Sequence, residues 1–261
     1  RFGNLRDESY EPIESPTSEI LIRKILNELE RHPNYWQIPQ YRISIENQDT
    51  FNHQHVVAEV LLACSHGIYT VAEADRIVFF AVGFEYQDDI SSISGDSLRL
   101  LTKAMNMNTG IVAQALLNIT VNLIQRDIPL SRILEATLRR YAQRSSPAIR
   151  ALFLEQYLQI IQYHAPELGW KLFALTMGEP GGMWRSAERC LYHAYHDDFS
   201  RVSPMLDEMR ANYANQDLET WGRISALCCL TEHIEFDKLS SDLKSLSSEE
   251  AWTGVFSVWA C

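Results

Sequence analysis

The chain has 261 residues, 46% of them hydrophobic and 22% charged, enough to bury a sizeable core in one large domain or two small ones. Glycine (11) and proline (9) are few, which argues against turn-rich β-structure. A net charge of −11 disfavours bulk nucleic-acid binding, which needs an excess of Lys and Arg, and no apolar run reaches the roughly 18 residues of a membrane span.

Residues 1–17 are polar and aperiodic and read as a linker. The chain opens on Arg1 with no signal peptide, which suggests a processed chain or a piece of a longer one in the cytoplasm. A helix is predicted over 18–31, started by Ser15-Pro16, with Ile22, Ile25, Leu26 and Leu29 as its apolar stripe. Pro33 and Pro39 interrupt residues 32–51, where YRISI (41–45) reads as a short strand or a packed loop. A helix over 53–66 carries Val56, Val57, Val60, Leu61 and Cys64 and stops at Gly67. Thr70-Val-Ala-Glu73 then forms a capping box for the next. The acidic stretch 84–96 is the best hinge, dividing an N-terminal helical cap region (18–95) from a C-terminal part (96–261).

In that C-terminal part helix starts are predicted near 110, 130, 147, 166, 183, 200, 217 and 236. They lie about 17 to 20 residues apart, so each pair takes about 34 to 37. Each helix has one apolar face: Val112, Ala115, Leu116, Ile119 and Leu123; Trp184, Ala187, Leu191 and Tyr195; Val202, Met205, Leu206, Met209 and Tyr213. Even pairs joined by short turns predict an all-α fold, an α-solenoid of antiparallel helix pairs in which neighbouring pairs stack into one core. A compact bundle is the competing architecture, and it has no need of equal spacing.

Residues 146–177, SPAIRALFLEQYLQIIQYHAPELGWKLFALTM, resemble a HEAT-type repeat: Pro at a helix start, a hydrophobic residue and Arg150, then a second helix after a Pro turn. The PAIR…PELGWKLF arrangement is also similar to the C-terminal helical-repeat regions of bacterial STAND-type NTPases, many of which serve in antiphage systems. The resemblance covers about residues 110–235 and rests on hydrophobic positions. It implies a protein-binding sensor or scaffold segment without a cofactor. The P-loop module of such proteins lies N-terminal to the repeats, and this chain has no GxxxxGK[ST].

Arg132, Arg139, Arg140, Arg144 and Arg150 stand out in an acidic chain, with Trp184 and Arg185 one repeat on. Along one face they could meet an acidic protein, a phosphate or a nucleic acid, and HEAT-like folds do include DNA-base glycosylases. The plainer reading is a solvated helix face tempered by Glu135 and Glu155. YHAYHDD (192–198) offers a metal alternative: His193, His196 and Asp197 share a helix face, and His196-Asp197 is similar to the dipeptide of all-helical HD-type metal phosphohydrolases. Such a site needs partners, with His164 and Asp207 or Asp217 as candidates. The plainer reading is a histidine in a last helical turn and an aspartate capping the next helix.

His53-Gln-His55 diverges on a helix, and GEPGGMW (178–184) lacks the Lys and Ser/Thr of a phosphate loop. Cys64, Cys190, Cys228, Cys229 and Cys261 show no CxxC spacing and read as reduced thiols. Asn118-Ile-Thr120 matches a glycosylation sequon within a predicted helix and is taken as coincidence. No nucleophile–base arrangement can be assembled.

Overall fold

The computed structural model describes residues 16–33, 48–84, 97–144, 146–178, 183–211 and 217–260. Among these residues all regular structure is helical. In chain order the helices are α1 (Pro16–Arg31), α2 (Gln48–Ser65), α3 (Val71–Val82), α4 (Ser97–Met105), α5 (Asn108–Ile124), α6 (Arg132–Arg144) and α7 (Pro147–Leu152). A π-turn (Phe153–Tyr157) follows, then α8 (Leu158–His164), α9 (Pro166–Met177), α10 (Trp184–Ala194), α11 (Phe199–Ala211), α12 (Asp217–Leu230), α13 (Phe236–Leu246) and α14 (Glu249–Trp259). The eight predicted starts from 110 onward each fall within two residues of an observed one. The candidate strand 41–45 lies outside the described residues.

The described residues form two compact units. One takes the described residues within 1–88 and 107–137, the other those within 89–106 and 138–261. In the first, α2 lies against α5. Asn118 Nδ2 donates to Ser65 Oγ at 3.2 Å and Asn122 Nδ2 to the Ser65 carbonyl at 3.0 Å. The sequon asparagine therefore makes a helix-packing contact, and Thr120 is buried. Leu61, Ile77, Phe80, Phe84, Ile111 and Leu116 fill the core. The Thr70 cap forms as a variant of the box: Glu73 N donates to Thr70 Oγ1 at 3.3 Å, and the Thr70 hydroxyl donates to Glu73 Oε2 at 3.0 Å. The other Glu73 oxygen accepts from Arg23 Nε at 2.6 Å, and Arg76 reaches back to Glu30 and Asn27, so α1 and α3 are laced by charge.

In the second unit Pro147 opens α7, where its missing amide costs no hydrogen bond. The helix runs on through the π-turn into α8. A π-turn shifts the backbone hydrogen-bond pattern, and here α10 supplies donors to it. Cys190 Sγ donates to the Leu154 carbonyl at 3.2 Å and Arg189 Nη1 to the Glu155 carbonyl at 3.1 Å, while the Ser186 hydroxyl donates to Glu155 Oε1 at 2.7 Å.

Similar links recur. Thr220 on α12 donates to Glu188 on α10 at 2.8 Å, Arg223 pairs with the same carboxylate, and Arg223 Nε donates to Ser257 on α14 at 3.1 Å. On the other row Trp170 Nε1 of α9 donates to Asp198 at 2.8 Å, Arg201 of α11 to Glu167 at 2.5 Å, and Arg210 of α11 pairs with Asp242 of α13. These lateral links join residues 28 to 36 apart in sequence, a range that overlaps the 34 to 37 residues read for a helix pair. The α12–α14 approach is tightest, because glycine stands on both helices. A Cβ on Gly222 would lie 2.2 Å from the Ala251 carbonyl oxygen, and one on Gly254 2.1 Å from that of Glu219.

Candidate interaction surface

The arginines that stand out in the sequence do not make one open stripe. Arg139 and Arg140 are half-buried on α6, and Arg132 is exposed at its start, in the other compact unit. Arg144 ends α6, and its side chain lies outside the described residues. Arg150 is half-buried, and its Nε has no hydrogen-bond partner. Its guanidinium occupies the space beside Gly178, where an added Cβ would lie 2.7 Å from Arg150 Nη1. Burial pulls the Arg150 pKa below the usual arginine range. Trp184 is only 4% exposed and fills the core of the second unit, so its ring is not available as an anchor, whereas Arg185 beside it is exposed. An i, i+3, i+7 pattern that begins on a tryptophan at a helix start is met by burial as readily as by binding. Residues 179–182 of GEPGGMW lie outside the described residues.

The YHAYHDD stretch closes α10. His193, His196 and Asp197 are exposed, as their helical positions predict. His196 Nδ1 lies 2.8 Å from Asp197 Oδ1. Among the described residues no group of three or more His, Cys, Asp or Glu side chains is placed to hold a metal ion. His164, Asp207 and Asp217 do not join His193, His196 and Asp197 in such a group. Burial and the nearby Arg189 charge lower the His193 pKa, favouring its neutral ring. The Asp217 carboxyl is raised by burial.

What gathers at this edge is aromatic. Tyr192 and Tyr195 ring centroids are 6.1 Å apart, and those of Tyr195 and His196 6.4 Å. His196 meets His233 edge-on at 5.7 Å, and His233 stacks on Phe199 at 4.8 Å with planes 10° apart. Five rings thus run in unbroken contact from the end of α10 to the turn after α12. Phe236, which begins α13, stacks on Trp259, which ends α14, at 5.8 Å.

Two features place them. The contacts of Glu188 with Thr220 and Arg223, and of His196 with His233, fix α10 and α12 side by side and running in the same direction. The α12 turn is closed by Glu232 in the left-handed conformation (φ 62°), with the His233 and Ile234 amides both donating to the Cys228 carbonyl. That closure carries His233 to the end of α10. Tyr192 is 44% exposed and Phe236 59%, and the His196 and Asp197 side chains are 64% and 82% exposed, so the rings border solvent. Their carboxylate neighbours in sequence are Asp197, Asp198, Glu232 and Glu235.

Sequence reasoning missed Phe199, His233, Phe236 and Trp259, because the rings meet only across turns. One signal was available: Tyr-His-Ala occurs at the end of α8 (163–165) and again at the end of α10 (192–194). Tyr163 is 78% exposed and meets His164 edge-on at 4.9 Å.

The thiols offer no chemistry at this surface. Burial pushes Cys64 up to about 11 and Cys228 up to about 12, and raises Cys190 further. Only half-buried Cys229 is open to reagent among the four described. Brief alkylation of the native protein followed by peptide mass mapping is expected to label Cys229 well ahead of Cys64, Cys190 and Cys228. Equal labelling of Cys190 would contradict its burial.

Compared with known proteins, the chain matches no family model, no curated protein and no solved structure. Among the described residues no single helix is long and apolar enough to cross a membrane.

Proposed function

We propose that this chain is a protein-binding scaffold or sensor module whose second unit is a stack of HEAT-like helix pairs. The observation that carries it is the recurrence of lateral links 28 to 36 residues apart on both helix rows, α8–α10–α12–α14 and α9–α11–α13. A stack built this way presents the ends of successive helices along one edge, and here those ends carry exposed aromatic rings. Rings exposed on an edge cost solvation that a partner recovers, and aromatic residues dominate the energetics of protein interfaces. Attachment to a larger NTPase-linked defence protein is the setting suggested by residues 146–177, and it rests on that resemblance alone. Nucleic acid is the weaker partner, given the net charge of −11 and the partial burial of Arg139, Arg140 and Arg150.

The test is purification of the tagged full chain from its own cells, with polypeptide stoichiometry and metal content read on the same sample. The expected result is a stoichiometric protein partner and no stoichiometric metal. A purified chain with no partner that carries one equivalent of zinc, manganese or iron, lost in His196→Ala, would replace this reading with the metal-dependent phosphohydrolase.

A further inference from the structure

We propose that the ring row at the ends of α10 and α12 is a docking edge for a basic segment of a partner protein, whose arginine and lysine side chains lie over the rings. This deepens the protein-binding reading and rests on it. Three observations converge. First, Tyr192, Tyr195, His196, His233 and Phe199 form a continuous surface with successive centroids 4.8 to 6.4 Å apart. Cations are attracted to the tyrosine and phenylalanine faces, and a guanidinium can both stack and donate hydrogen bonds there. The same arrangement occurs within the chain nearby, where Arg201 lies over the Trp170 ring at 5.8 Å.

Second, carboxylates outnumber cations around the rings. Asp197 and Asp198 follow His196 directly, and Glu232 and Glu235 flank His233. Of the arginines there, Arg201 is paired with Glu167, and Arg189, which donates to the neutral Glu155 carbonyl, keeps its charge beside His193. A basic segment complements this edge, and an acidic peptide or a nucleic-acid backbone is repelled by it. Third, the rings already touch in the unbound chain. Less side-chain freedom is lost when a partner settles on rings that hold one another than on isolated ones.

The test is fluorescence anisotropy of the full chain with a fluorescein-labelled nona-arginine peptide, beside a Gly-Ser peptide of equal length. Saturable binding of nona-arginine alone is expected. Tyr192→Ala with Tyr195→Ala should weaken it by about tenfold, the scale of two cation–π contacts. Asp197→Lys with Glu232→Lys should weaken it at least as much. The reversal pair Glu249→Lys and Glu250→Lys, in the first turn of α14, should leave it within about twofold if the edge rather than net charge is responsible. Circular dichroism of each variant confirms the helical fold. The proposal is overturned by absent binding, by ring variants that keep full affinity, or by α14 reversals that weaken binding as much as those beside the rings. If the peptide does not bind but a native partner still co-purifies, the edge is wrong and the protein-binding reading stands. If no native partner is recovered, that reading is the one that fails.

Discussion

Replacing Gly254 with leucine is expected to destabilise the second unit by about 3 kcal/mol, read as a lower urea midpoint. The cause is local. A Cβ at this position would sit 2.1 Å from the Glu219 carbonyl oxygen and 2.9 Å from the Arg223 amide nitrogen. Both obstacles are backbone in the middle of α12, so no rotamer change relieves them, and α14 must move outward. Ala251 and Val255, buried on the same face of α14, would then lose their packing. The companion Gly222 faces the Ala251 carbonyl at 2.2 Å from its added Cβ, so Gly222→Leu should act in the same direction. Ser257→Ala removes the hydroxyl that accepts from Arg223 and donates to the Gly254 carbonyl at 2.6 Å, and should cost about 1 kcal/mol or less. A Gly254→Leu protein with wild-type stability would mean that α12 and α14 are not packed backbone to backbone.

The second large effect is expected at Arg223. Its guanidinium joins three helices: Nη1 to Glu188 on α10, Nη2 to Glu219 on α12 at 2.5 Å, and Nε to Ser257 on α14. The arginine and Glu188 side chains are 29% and 24% exposed, so their charges are partly withdrawn from water. Arg223→Met keeps much of the apolar stem and removes the charge. It is expected to cost about 2 kcal/mol, mostly by stranding the Glu188 carboxylate against Thr220 alone. Adding Glu188→Gln should recover part of the loss, since the stranded charge is then gone. Arg223→Lys should fall between, because one ammonium cannot reach three partners in a fixed fork. Equal stability of Arg223→Met and wild type would show the network to be only a surface ion pair.

The helices of this protein were legible because their punctuation is chemical. Pro147 and Pro166 stand at observed helix starts, and Thr70 caps α3 through the predicted amide. Equal spacing was legible too, since each link between α10, α12 and α14 crosses about one helix pair. The π-turn at 153–157 was not, because one extra residue per turn hardly disturbs an apolar run as dense as ALFLEQYLQII. The start of α14 at Glu249 was also missed, although Ser248 caps it by accepting from the Ala251 amide at 3.3 Å.

The candidate surface was half legible. YHAYHDD drew attention as a set of ligands, and its histidines do point outward. Their neighbours are rings rather than further ligands, and those rings come from Phe199 and His233, brought in by turns that carry no periodic signal. Trp184 misled for the opposite reason. A helix's apolar face and a binding anchor have the same composition, and only burial tells them apart.

The proposed stack makes one demand that a bundle does not: each helix pair depends on its neighbours only. Native-state hydrogen exchange on wild-type protein and Gly254→Leu tests it most directly. The account predicts that protection falls in α13 and α14 and along the α12 face they cover, while α4 and α7 through α9 keep their wild-type exchange. An equal loss of protection across all helices from α7 to α14 would contradict the stack and make the second unit one cooperative bundle.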